Sequence, residues 1–345
     1  MTKTEEKPRH ITRWLVLLLL VAVGVVSMWL VKPARPEVSL AGETLLEHPL
    51  VTLPVLGNIS LTNTLLTTVI VDAIVIILAL AAGRGIRADG SPSRGIANVF
   101  ETIFEALYNL VEQTVGKKWA KQVFPLVSTI ILLVLTANLL KLFPGMESIG
   151  LIEPSISGET GHTTIDIIPG LVGLMATETT TNAYKLVPFF RSPSTDLNFT
   201  ASLALIAVIM VQFFGVRANG RRYFGKFLNF GRFFKMWVKR DVNAFDAINP
   251  FIDIFVGILE FISEFAKIIS FSFRLLGSMF GGAVLVVVLG TLLPVSQFGL
   301  YFLELFFGVI QALVFGVLTM VFIAIATKGH GEHADEHSEI QEAHA

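Results

Sequence analysis

The sequence predicts an all-α, multi-pass membrane protein of about six membrane helices, with a long tilted carboxyl-terminal helix hairpin and one interfacial amphipathic helix. Three observations predict it. Of 345 residues, 53% are hydrophobic and only 15% are charged, with a mean hydropathy of +0.70, too apolar for a single soluble core. Apolar runs long enough to cross a hydrocarbon layer of about 30 Å recur along the chain. The charges gather in the segments between those runs. A net charge of -1 selects no partner class, and the chain has no cysteine, which excludes disulfides and thiolate metal sites. No cofactor and no metal site is expected.

The first apolar run, Trp14 to Val31, follows Lys3, Lys7, Arg9 and Arg13, so its amino end is expected in the cytoplasm. It reads as a retained anchor or as a signal peptide. Its length and the absence of a small-residue cleavage site at Val31-Lys32-Pro33 favour the anchor. Further spans are expected at Leu61 to Ala82, Phe124 to Phe143, Phe199 to Val216, Ile252 to Leu293 and Phe298 to Thr327. The segment from Arg217 to Arg240 carries eight basic residues before its first acid, Asp241, which marks it as cytoplasmic. The loop from Gly145 to Arg191 is acidic and rich in Ser, Thr, Gly and Pro, and reads as irregular extracytoplasmic structure. Six spans with both termini inside satisfy both loops.

Between the second and third spans, Ile96, Val99, Phe100, Ile103, Phe104, Leu107 and Leu110 recur at helical spacing, with Glu101, Glu105 and Glu112 opposite. This predicts a helix lying in the interface or packed on a partner, not a span. The run from Ile252 to Leu293 is a different problem. Its 42 residues would measure roughly 63 Å as a helix, so it must tilt steeply or break. Along it Glu260, Glu264, Lys267, Arg274 and Ser278 share one face, a polar stripe in apolar surroundings. An arginine at membrane depth costs roughly 2.5 to 3.5 kcal/mol and cannot shed its charge. The stripe reads as an ion path or as an ion-pair network that welds a bundle; intramembrane ionisable groups favour the path. Gly277, Gly281 and Gly282 beyond Arg274 would let another helix come close. In the last run Glu304, Gly308 and Gln311 give a second, sparser polar face.

The segments ISFSFRLLGSMFGG and IQALVFGVLTMVFIAIA, with ANLLKLFP at Ala137 to Pro144, PSTDLN at Pro193 to Asn198 and ILEFISEFAKIISFSFR, closely resemble subunit a of F-type ATP synthases. The resemblance runs from about Gly42 to Thr327. It implies a membrane stator that faces a rotating c-ring and forms two offset proton half-channels. It implies that Arg274 is the essential arginine and that Gln311 lies near it on the following helix. Glu260 matches a half-channel acid, and Asp196 and Asn198 the polar start of the span lining the outer access. Ser278 stands where many relatives have asparagine. Ala283 and Glu304 depart from a paired site, so Glu304 would carry alone a relay role shared elsewhere by two residues. Glu264 and Lys267 are weaker members of the path. The partners implied are the c-ring, b-type peripheral stalk subunits, the soluble F1 ATPase and membrane lipid, with no nucleic acid. The isolated chain is not expected to be an enzyme; it would be the ion-translocating part of the complex.

Asp72 reads as a helix-contact group or a channel acid, Lys141 as an interfacial snorkelling residue, and Asn138 and Gln212 as side chains that join helices. The His- and acid-rich tail is expected to be solvated. Three regions are therefore expected: an anchor over 1–35, the membrane domain over 36–327 and the tail over 328–345. A self-contained secondary transporter is the alternative, but no repeat relates the halves, and no phosphate loop is present. Without an Arg- and Ser-rich presequence, the expected location is a bacterial cell (inner) membrane.

Overall fold

The computed structural model describes residues 41–46, 48–49, 51–54, 57–85, 96–143, 145–155, 161–168, 171–179, 183–226, 244–292 and 296–328, with Ala22. The expected first span apart from Ala22, the basic stretch beyond Lys226 and the tail after Lys328 lie outside these residues.

The described chain is mostly helical. Five helices are long and apolar enough to cross a membrane: α1 (Asn63–Gly85), α3 (Lys117–Leu140), α4 (Leu197–Asn219), α5 (Ala244–Leu292) and α6 (Ser296–Thr327). They coincide with the second to sixth expected spans. The amphipathic helix is α2 (Ile96–Val115), which does not have the composition of a span. Gly116, at φ +87°, separates α2 from α3; only a residue without Cβ takes that conformation cheaply, and its N–H closes on Glu112 O at 3.0 Å. Between two ways of fitting an overlong run into a bilayer, α5 does not break. Its 49 residues form one helix about 74 Å long.

The chain divides into two compact units. One comprises Val69–Ala137, Pro193–Gly277 and Val309–Ala345. Its core brings together Leu107 and Val111 of α2, Val123 and Val127 of α3, Phe214 of α4 and Met320 of α6. Tyr108 meets Phe124 edge-on at 5.4 Å, so the part of α2 around Leu107, Tyr108 and Val111 packs on its own chain, while Val99, Ile103 and Leu110 stay exposed. Lipid is as apolar as leucine, so helices here gain from close contact more than from leaving water. Gly316 of α6 provides that contact, because a Cβ there would overlap the Ile131 side chain.

The other unit comprises Met1–Thr68, Asn138–Ser192 and Ser278–Gly308. Here the expectation of an irregular loop after α3 is overturned. Strands β3 (Gly150–Pro154), β4 (Gly161–Ile168), β5 (Leu171–Thr179) and β6 (Tyr184–Pro188) form an antiparallel sheet in the order β3-β6-β4-β5. The β-branched run His162-Thr163-Thr164-Ile165-Asp166-Ile167-Ile168 and the Pro169-Gly170 turn signal are ordinary hairpin grammar, outweighed in the composition by Ser, Thr and Gly. A short hairpin, β1 (Val51–Leu53) with β2 (Gly57–Ile59), precedes α1. Asn63 ties this end together: its Oδ1 accepts from Glu43 N and its Nδ2 donates to Pro188 O. The buried Arg191 donates from Nη1 to Ala41 O at 2.8 Å.

Candidate functional site

The site is built on α5. Phe255, Leu259, Ile262, Ala266, Ser270, Phe273, Gly277, Gly281, Leu285 and Val288 are exposed, and successive members lie three or four residues apart. They form one continuous uncovered stripe along the helix. Phe271, Leu275 and Met279 occupy the opposite, buried side. The polar stripe expected from the sequence lies along the margin between the two faces. Glu264 is buried, Glu260, Lys267 and Ser278 are half-buried, and Arg274 is exposed. Arg274 Nη2 lies 3.4 Å from Ser270 Oγ, one turn back. A Cβ added at Gly277 or Gly281 would meet nothing within 4 Å, so the surface beside the guanidinium is flat and open. A cation standing on a long apolar face, flanked by glycines, suits the close approach of an anion-bearing helix.

Ten and seven residues earlier, the same helix does something different. Glu264 Oε1 accepts from Lys267 Nζ at 2.9 Å, and its Oε2 accepts from Gln212 Nε2 of α4 at 2.7 Å. Gln212 Oε1 in turn accepts from Tyr223 Oη at 2.7 Å, and Lys267 Nζ sits 4.9 Å above the Phe322 ring of α6. Both oxygens of a buried carboxylate are therefore satisfied, one from the next turn of its own helix and one from α4. The welding network weighed from the sequence exists, and Glu264 and Lys267 belong to it. Gln212 joins helices, as expected. Tyr223 was not foreseen, because it lies in a short 3-10 segment, Gly220–Lys226, that carries no periodic signal.

On α6, Gln311 is buried, and its Nε2 has no hydrogen-bond partner among the described residues. Phe271 packs on Phe315 with centroids 5.1 Å apart, and Lys267 on Phe322, so α5 and α6 run antiparallel here. That pairing brings Gln311 to about the level of Leu275, the neighbour of Arg274 in sequence. Asp196 caps α4: it is buried and its Oδ1 accepts from Asn198 N at 2.9 Å, while the Asn198 side chain is exposed.

Lys141 requires a correction, because it does not snorkel to the interface. Lys141 Nζ forms an ion pair with Glu304 Oε1, with only 5% and 6% of the two side chains exposed, and also reaches Met279 O at 3.3 Å. A lysine just past the end of α3 looks interfacial from sequence; the acid that draws it inward lies 163 residues away. Asn138, three residues earlier, donates to Gly308 O at 3.0 Å, a helix-joining bond of the kind expected. Asp72 is exposed on α1. Among the described residues no group of three His, Asp or Glu side chains is placed to hold a metal ion.

A family model described as ATP synthase A chain matches residues 65–324, three quarters of the sequence and every helix that carries the side chains above except the start of α1 and the end of α6. The chain belongs to the ATP synthase A chain family. It is similar to "ATP synthase subunit a" of Aliarcobacter butzleri (strain RM4018), 27% identical over 257 residues that cover 74% of this chain and 85% of the relative. It is also similar to the proteins of that name from Helicobacter pylori (strain Shi470) and Helicobacter acinonychis (strain Sheeba). These are 29% and 27% identical, each covering 68% of this chain and 79% of the relative. As a member of the ATP synthase A chain family, the chain is a membrane protein, a proton-translocating subunit of ATP synthase. The alternative of a self-contained secondary transporter finds no support.

Proposed function

We propose that this chain is the stator that faces a c-ring in a bacterial inner membrane, with Arg274 opposite the ring's ion-binding carboxylates. The observation that carries the reading is Arg274 itself, exposed at the margin of the long uncovered apolar face of α5 beside Gly277 and Gly281. A ring carboxylate crossing lipid must be protonated, since an anion there is costly. Opposite a fixed guanidinium its charged form is favoured instead, and the proton leaves. The same cation repels protons between two offset half-channels, so charge crosses only by rotation of the ring. Each crossing gains about 2.3 kcal/mol per 100 mV. Arginine suits the task because it stays protonated in apolar surroundings.

In this reading Gln311, held level with Arg274, orients the arginine or the incoming carboxylate with its buried amide. Glu260 serves one half-channel. Glu304 serves the outer access, Asp196 and Asn198 at the start of α4 are assigned to the same role, and Ser278 is a further residue of the path. The mutual pairing of Glu264 and Lys267 supports a role in the wall beside the path. The partners are the c-ring, b-type stalk subunits and the soluble F1 ATPase, and the isolated chain catalyses nothing. Both termini lie in the cytoplasm. Residues 1–35 form an anchor, 36–327 the membrane domain and 328–345 a solvated tail.

The test is ATP-driven acidification of inverted membrane vesicles carrying Arg274→Ala. Pumping should vanish although the complex assembles, and passive proton leak should be recorded after F1 is stripped. Undiminished pumping by the variant would sink the reading.

A further inference from the structure

We infer that Lys141 is a positioning residue for proton transfer at Glu304, so that the relay in this chain is a lysine–glutamate pair. The inference rests on the reading of Glu304 as the outer relay acid. A lone carboxylate buried in a membrane protein has nothing to fix its rotamer or balance its charge. Glu304 has both from one side chain: the Lys141 ammonium pairs with Oε1 and is itself anchored to the Met279 carbonyl of α5 at 3.3 Å. The pair thus draws on α6, on the end of α3 and on the second half of α5. Gly282 of α5 lies beside the pair, where a Cβ would make ordinary contact with the same Oε1 at 3.5 Å.

The surroundings argue against a purely structural weld. Glu147, in the turn after α3, interacts electrostatically with Lys141, Glu304 and the buried Arg191. Glu147 is exposed, while Glu304 is not. Two acids, the exposed Glu147 and the buried Glu304, therefore share the field of two cations, Lys141 and Arg191. When Glu304 takes up a proton, its carboxylate charge is neutralised and the ammonium keeps a counter-charge in Glu147. When it releases the proton onward, Lys141 recovers the carboxylate in the same place. No bond other than the O–H forms or breaks, and the proton supplied from outside is the proton passed on. The Glu264–Lys267 pair lacks this character, since both oxygens of its acid are held by the bundle.

The experiment compares Lys141→Met, Lys141→Arg, Glu304→Gln and the double variant Lys141→Met/Glu304→Gln in the assembled complex, reading ATP-driven vesicle acidification. Lys141→Met should lower pumping by about tenfold or more, the scale expected when a reacting group loses its positioning contact. Lys141→Arg should recover most of it, and the double variant should lose no more than Glu304→Gln alone. If Lys141→Met does not assemble, Lys141→Gln is measured against the same criteria. Normal pumping by Lys141→Met while Glu304→Gln is inactive overturns the inference and leaves the role of Glu304 standing. So does a Lys141→Arg complex no better than Lys141→Met. Normal pumping by Glu304→Gln overturns the relay reading itself.

Discussion

Lys267 and Arg274 sit two turns apart on one helix and are used in opposite ways. Lys267 is turned inward: its ammonium pairs with Glu264, lies over Phe322, and belongs to a chain of contacts reaching Gln212 and Tyr223. Arg274 is turned outward, beside glycines that leave the surface open. The difference teaches that charge inside a membrane protein has two destinations. A cation whose partner belongs to the same chain stabilises the bundle. In the proposed reading, a cation carried to an uncovered apolar face serves a partner that arrives from elsewhere.

The largest expected effect breaks the outward side. Arg274→Ala should reduce ATP-driven pumping to background, yet shift the stability of the isolated chain in detergent by no more than about 0.5 kcal/mol, the usual range for an exposed substitution. The inward side should behave in reverse. Glu264→Ala strands the Lys267 ammonium and should destabilise the complex by about 3–5 kcal/mol, read by thermal unfolding in detergent. The double variant Glu264→Ala/Lys267→Met should recover most of that loss, because it removes both charges together.

Glycines sharpen the same contrast. At Gly215 of α4 a Cβ would overlap the Tyr223 ring, so Gly215→Ala should cost about 1–3 kcal/mol of stability. Gly277→Ala meets no atom within this chain and should leave stability unchanged while slowing pumping, which separates an internal contact from an external one. The smallest effect is Tyr223→Phe. It removes the hydroxyl that donates to Gln212 and should cost about 1 kcal/mol, with pumping retained. Equal loss of pumping in Tyr223→Phe and Arg274→Ala would erase the distinction between the two regions.

Much of this was legible before any coordinates. The five spans were visible because each helix must bury or present its whole length to hydrocarbon, which leaves long apolar runs in the sequence. The margin of α5 was visible because residues three, four and seven apart share a face whatever packs on it. The sheet between α3 and α4 was missed: its alternation is short and interrupted, and the register slips between His162 and Thr164 and again between Asp166 and Ile168.

Periodicity alone therefore determined the helices, their apolar faces and the placement of Glu260, Glu264, Lys267, Arg274 and Ser278 along one edge. Local regularity leaves its mark every few residues. Only the tertiary structure decided which of those charges turn inward, that Gln212 and Tyr223 complete the Glu264 network, and that Lys141 reaches Glu304. Such partners lie 52 and 163 residues apart. Helix spacing cannot reach that far, and only the packing of separate helices brings such groups within hydrogen-bonding distance.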